Sequence, residues 1–227
     1  STGTTDGRVT LAFPTIPMGS TGSTFARFRL STDINAASPT GVAGDGEVED
    51  YRFSITSTAD GTVNHFLKIA HNTNGGPVLA NSDLFGRSVA SLGDLDGDGI
   101  VDLAVGSPQD GTGGSARGAV HILFLYANGS VKGISKIASG MNGGPTLADI
   151  DFFGSAVAAI GDLDGDGLTE LTVGARGDDT GSSERGAIYV LFLNANGTAK
   201  SFTKIASGTN GGPVLGITGE FGSSIAA

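Results

Sequence analysis

A phrase repeated at one fixed spacing constrains this chain more than any other property. Phe85-Gly86 returns as Phe153-Gly154 and again as Phe221-Gly222, at a constant interval (153 − 85 = 221 − 153 = 68). Lys68-Ile69-Ala70 returns at 136 and 204, and Asn74-Gly75-Gly76-Pro77 at 142 and 210, in the same register. Self-similarity of this kind marks a repeat architecture, in which each unit buries its apolar face against its neighbours. Residues 85–152 and 153–220 are two complete units. Residues 60–84 read as the tail of an earlier unit and 221–227 as the start of a later one.

Each unit reads as four strands. In the first they run over 88–92, 102–106, 119–126 and 131–138. The third, AVHILFLY, is apolar on both faces, which predicts an inner strand buried on both sides. Asn128-Gly129 and Asn196-Gly197 predict type I′ hairpin turns between the third and fourth strands. With 39 glycines in 227 residues and dense β-branched residues, a helical reading fails. The expected fold is all-β: tandem four-stranded, propeller-type blades. Residues 1–58 lack this repeat and read as a separate region.

Between the first and second strands of each unit lies an acidic loop, GDLDGDGIVD at 93–102 and GDLDGDGLTE at 161–170. Carboxylates stand at relative positions 1, 3, 5 and 9: Asp94, Asp96, Asp98 and Asp102, then Asp162, Asp164, Asp166 and Glu170. Gly99 and Gly167 provide a sharp turn at position 6. Ile100 and Leu168 at position 7 offer backbone carbonyls. Hard oxygen donors in this number suit Ca²⁺, which takes 6–8 of them; Mg²⁺ requires a stricter octahedron. An EF-hand would need Glu at position 12, where this chain has Val105 and Val173 inside a strand. The loops hold eight of the 23 acidic residues. Without metal, repulsion among them should loosen the hairpins, so metal binding would add to folding stability.

These residues resemble the FG-GAP repeat of integrin α-subunit propellers. Phe85-Gly86 and Phe153-Gly154 match its start. Gly106-Ser107-Pro108 and Gly174-Ala175-Arg176 occupy its Gly-Ala-Pro slot. The family's calcium loop, DxDxDGxxD, matches 94–102 in full and 162–170 with Glu170 in the last place. The resemblance covers 60–227 and implies a calcium-stabilised propeller used for adhesion or scaffolding. Phe25-Ala26-Arg27-Phe28-Arg29-Leu30-Ser31 and Gly46-Glu47-Val48-Glu49-Asp50-Tyr51 resemble the C-terminal part of the GEVED domain, a β-rich, sandwich-like module of large exported bacterial proteins. Arg27/Arg29 and Glu47/Glu49 alternate along their strands and predict a charged cross-strand ladder.

The net charge of −10 argues against nucleic acid and anionic membranes as partners. No apolar run approaches the roughly 20 residues of a membrane helix. The absence of cysteine removes disulfide and thiolate chemistry. The chain begins at Ser1, without a leader, and reads as a processed product or fragment. Arg176-Gly177-Asp178 falls where the first unit has Pro108-Gln109-Asp110, which favours drift in a Gly/Asp-rich loop over a recognition motif. Asn128-Gly129-Ser130 and Asn196-Gly197-Thr198 fit the glycosylation pattern, although hairpin geometry explains them. His121 aligns with Tyr189, a slot for an amphipathic ring. There is no nucleophile elbow, P-loop or HExxH motif, so no enzyme activity is expected.

The sequence therefore predicts a calcium-binding, non-catalytic structural or adhesive segment at the cell surface or outside the cell. Self-association or neighbouring repeats would complete the blades, and a surface fibre is one form of such assembly. A ligand-binding propeller recognising protein or glycan through its loops, and an accessory domain of an exported enzyme, are the alternatives.

Overall fold

The computed structural model describes residues 22–30, 47–55 and 66–226. The chain divides into two units, 1–65 and 66–227. In the first, β1 (Gly22–Leu30) pairs antiparallel with β2 (Glu47–Ile55). The rest of 1–58, on which the GEVED-like, sandwich-like expectation also rests, lies outside the described residues. The charged ladder is not formed as expected. Arg27 stands opposite Asp50, Arg29 opposite Val48, and Glu49 opposite Phe28, one residue out of phase with an Arg–Glu pairing.

The second unit contains two four-stranded antiparallel sheets and, among the described residues, no helix. The first sheet comprises β3 (Ser88–Gly93), β4 (Asp102–Ser107), β5 (Ala119–Leu125) and β6 (Val131–Ala138) in sequential order. The second comprises β7 (Phe153–Ala159), β8 (Leu171–Ala175), β9 (Ala187–Leu193) and β10 (Ala199–Ala206), likewise. These are the expected blades. No strand forms at 66–84 or 221–226; Phe221 makes only an isolated bridge to Gly186.

The hairpin turns differ from the type I′ expectation. Only Gly129 (φ 83°) and Gly197 (φ 73°) are left-handed, and Asn128 and Asn196 are not. The Asn side chain explains the difference. Asn128 Oδ1 accepts from the Ser130 amide (2.9 Å) and hydroxyl (2.7 Å), and Asn196 does the same with Thr198. That favours an ordinary turn followed by a left-handed glycine, and the register shifts beside each turn.

The blades stack face to face. Val120, Ile122 and Phe124 of β5 share one core with Tyr189, Leu191 and Leu193 of β9. The other face of β5, through Leu123, packs with Val105, Val131, Ile69 and Phe85. Strand β5 is therefore buried on both sides, as its composition predicts. In β9 burial alternates, because Ile188, Val190 and Phe192 face away from the first blade. The glycines of the repeated phrases form the junction. Gly154 (φ 89°) lies against Gly106 and Ala119 of the first blade, and a Cβ on Gly106 would overlap the Gly154 carbonyl. Gly222 meets Gly174 in the same way.

The ring slot is also repeated. Phe85 meets His121 edge-on at 5.5 Å, and Phe153 meets Tyr189 at 5.5 Å. Tyr189 donates its hydroxyl to Asp178 (3.1 Å), whereas both ring nitrogens of His121 are buried without a partner. Burial, reinforced by Lys136 and opposed by Asp110, lowers the His121 pKa to about 4. Below about pH 6.5 an unfolded chain takes up a proton that folded His121 refuses until about pH 4, so folded stability falls as pH drops through this window, by up to about 3 kcal/mol. His121→Tyr should remove that loss and raise the melting temperature at pH 5, checked by thermal melts from pH 7 to pH 4. Gly106→Ala should destabilise the chain by about 1–3 kcal/mol in urea titrations, the cost of an overpacked contact.

Candidate metal centres

Each acidic loop is built around its first aspartate. Asp94 Oδ1 accepts the amides of Gly97 (2.8 Å) and Asp98 (2.9 Å), and Oδ2 accepts that of Gly99 (2.8 Å). Asp162 repeats this with Gly165 (2.7 Å), Asp166 (3.2 Å) and Gly167 (2.8 Å). Folding the chain around one carboxylate requires left-handed residues. Gly97, Gly99, Gly165 and Gly167 supply them, with φ between 79° and 88°. Asp98 and Asp166 accept the amides of Ile100 (2.8 Å) and Leu168 (2.9 Å). The latter two residues thus sit in the turn through their amides. The loops join strands, in keeping with the rejection of an EF-hand.

The second loop brings all four predicted carboxylates together. One oxygen from each of Asp162, Asp164, Asp166 and Glu170 lies within 4.8 Å of the others. The first loop gathers Asp94, Asp96 and Asp102 in this way but not Asp98. Asp98 instead pairs with Lys132 on β6, which also lies 2.8 Å from Asp96. Lys200 on β10 makes the equivalent contacts, to Asp166 and, at 2.7 Å, to Asp164. Sequence reasoning counted carboxylates and missed both lysines. The signal was present, since Lys132 and Lys200 are separated by the same repeat interval and follow the hairpin closely.

The two loops differ at position 9. Asp102 is fully buried, and its oxygens accept the amides of Leu95 and Leu125, each at 3.0 Å. Burial pushes its pKa up, those amides pull it down, and nearby Asp96 adds an upward push; the net shift is upward. Glu170 is equally buried. One oxygen accepts the Leu163 amide, and the other, Oε1, has no partner. A buried carboxylate oxygen without a donor is costly unless a cation meets it. The all-oxygen donor set fits a hard divalent cation. Asp162, Asp164, Asp166 and Glu170 would hold it in the second loop, and Asp94, Asp96 and Asp102 in the first. Lys132 hydrogen bonding and the Ile100 amide lower the Asp98 pKa; Lys200 and the Leu168 amide do so for Asp166.

Arg176-Gly177-Asp178 is a structural element. Asp178 is only 3% exposed and pairs with Lys204 at 2.5 Å, while Arg176 stacks 4.3 Å from the Phe152 ring centroid. Asp110 pairs with Lys136 at 2.5 Å in the first blade. Burial pushes Asp110 and Asp178 up, but the lysine and threonine hydrogen bonds outweigh it and the net shifts are downward. Sequence reasoning missed this repeated ion pair.

The model of the FG-GAP repeat matches residues 85–123 and 153–191, one copy in each blade through its third strand. Both blades thus resemble the FG-GAP repeat. It is 44% identical to integrin alpha-5 of Xenopus laevis over 102 residues, 45% of the chain and 9% of that integrin. It is 33% identical to human integrin alpha-E over 134 residues, covering 59% of the chain and 11% of that integrin. The matches thus span about a tenth of these relatives. The GEVED resemblance at 1–58 lies outside the family-model match.

Two substitutions should separate the loop's frame from its cation site. Asp162→Asn weakens bonds that shape the loop and should lower the melting temperature in both EGTA and millimolar calcium. Its expected cost is about 1–3 kcal/mol, the range for hydrogen bonds to a charged group. Glu170→Gln should lower the melting temperature only in calcium. Paired thermal scans check both outcomes.

Proposed function

We propose that this chain is a calcium-stabilised, non-catalytic structural or adhesive segment of a large exported bacterial protein, displayed outside the cell. The observation that carries this reading is the convergence of carboxylates in both FG-GAP loops, with Glu170 Oε1 buried and unpartnered in one of them. Calcium is favoured because it accepts six to eight oxygens in flexible geometry, and extracellular modules bind it at about 10⁻⁴–10⁻³ M. The integrin relatives support an extracellular setting. The GEVED-like sequence at 1–58 supports the bacterial one.

Assembly through the blade faces is the second part of the proposal. Leu95 is 2% exposed beneath the second blade, whereas its repeat mate Leu163 is 57% exposed. On the opposite side Val157 is 7% exposed and its mate Val89 is 55% exposed. Each uncovered face thus presents side chains that the existing junction buries. We propose that further FG-GAP blades cover them, from the same protein or from a second copy, and that a surface fibre is the form this assembly takes.

A ligand-binding propeller is the second reading. It is favoured by a cavity of about 440 Å³ at the end of the blades opposite the acidic loops, lined by Arg87, Phe152, Arg176 and Glu220 among others. Saturable binding of a protein or glycan, lost on substitution of Arg87, would support it.

Sedimentation velocity in millimolar calcium and in EGTA tests the main proposal. Larger, concentration-dependent species are expected in calcium, dispersing in EGTA and in Leu163→Asp. A single small species under all conditions would overturn assembly. Equal melting temperatures with and without calcium would overturn metal stabilisation.

A further inference from the structure

The acidic loops already contain a cation. Lys132 Nζ bridges Asp96, at 2.8 Å from Oδ2, and Asp98. Lys200 Nζ bridges Asp164, at 2.7 Å from Oδ2, and Asp166. The same two loop positions are engaged in each repeat, by a lysine at the same place on the outer strand. The stems are well covered, with the lysine side chains 17% and 29% exposed. The oxygens engaged belong to carboxylates a metal ion would need. Asp96 is in the first convergent group, and Asp164 and Asp166 are in the second. Asp98, excluded from the first group, pairs with Lys132.

We propose that Lys132 and Lys200 are tethered counter-cations that compete with calcium for the acidic loops, so that each loop exchanges an ammonium for a metal ion. The inference rests on the calcium reading above and adds a determinant of affinity to it. Four carboxylates gathered without a cation repel one another. An ammonium inserted between two of them offsets that repulsion and keeps the loop folded. The same ammonium must leave these oxygens, or share them with a divalent ion at close range, when calcium binds. The lysines therefore weaken calcium binding while protecting the metal-free loop. This narrows the stability gap between the two states and sets the affinity by competition rather than by ligand count alone.

Calcium titration calorimetry on the unmodified chain and on Lys132→Met, Lys200→Met and Lys200→Arg tests this, with thermal melts in EGTA alongside. Each Lys→Met substitution should tighten calcium binding by about tenfold, the order expected for removing one neighbouring charge. It should also lower the melting temperature in EGTA. Lys200→Arg retains the charge and should keep an affinity close to that of the unmodified chain. Unchanged or weaker calcium binding by folded Lys→Met variants would overturn the exchange, leaving the lysines as supports of the bound state. If Lys→Met prevents folding in EGTA, the polar neutral variants Lys132→Gln and Lys200→Gln are read by the same criterion. With the unmodified chain still binding calcium, a negative result removes only the lysine exchange. Failure of the unmodified chain to bind calcium removes both readings.

Discussion

The contact on which this structure depends is between two glycines. Gly154, from the Phe-Gly that opens the second blade, lies against Gly106, from the slot that closes the second strand of the first. Backbone meets backbone there without intervening side chains, and the sheets come close enough for Ile122 and Phe124 to enter one core with Leu191 and Leu193. Hydrogen bonds across the junction fix its register: the Phe153 amide donates to the Arg117 carbonyl (3.0 Å), and the Ala199 amide to the Asn142 carbonyl (2.9 Å). The same glycine contact recurs at Gly222 and Gly174. The two glycines of the family's name thus act as partners across successive blades. A blade alone leaves both apolar faces in water, so stability belongs to the stack rather than to the unit.

Within that frame the acidic loops are a separate electrostatic problem. Each gathers carboxylates close together by wrapping amides around its first aspartate and letting glycine take the left-handed turns. The loops then diverge. Asp102 has both oxygens occupied by Leu95 and Leu125 amides, whereas the extra methylene of Glu170 leaves Oε1 unpaired. The departure from the family pattern therefore coincides with the more convergent group. Lysines from the outer strands complete both loops and change the balance of charge that a count of acids would suggest.

Much of this was legible in the chain. The interval between phrases defined two blades, and strand boundaries followed from apolar runs closely enough that β6 begins and ends where predicted. The carboxylate spacing located both loops. Other features were not legible, for identifiable reasons. Hairpin geometry turned on whether an Asn side chain would bond its own backbone, a local competition that Asn-Gly alone does not resolve. The register of β1 and β2 depended on a one-residue choice that alternation leaves open. Lys132, Lys200 and the Asp110–Lys136 and Asp178–Lys204 pairs were missed because each joins residues far apart along the chain, although the lysines recur at the repeat interval.

The sequence by itself determined the repeat, the all-β class, the position and donor chemistry of the acidic loops, and the equivalence of His121 with Tyr189. These follow from periodicity and from residues adjacent along the chain. The tertiary structure alone decided which side chains meet across the 34 to 36 residues that separate each lysine from its carboxylates. It also decided which carboxylate oxygen is left without a donor, and which face of each blade is covered. Such contacts depend on how strands are brought side by side and how sheets stack. A linear pattern specifies that such pairing will occur, but not the distances at which charged atoms come to rest.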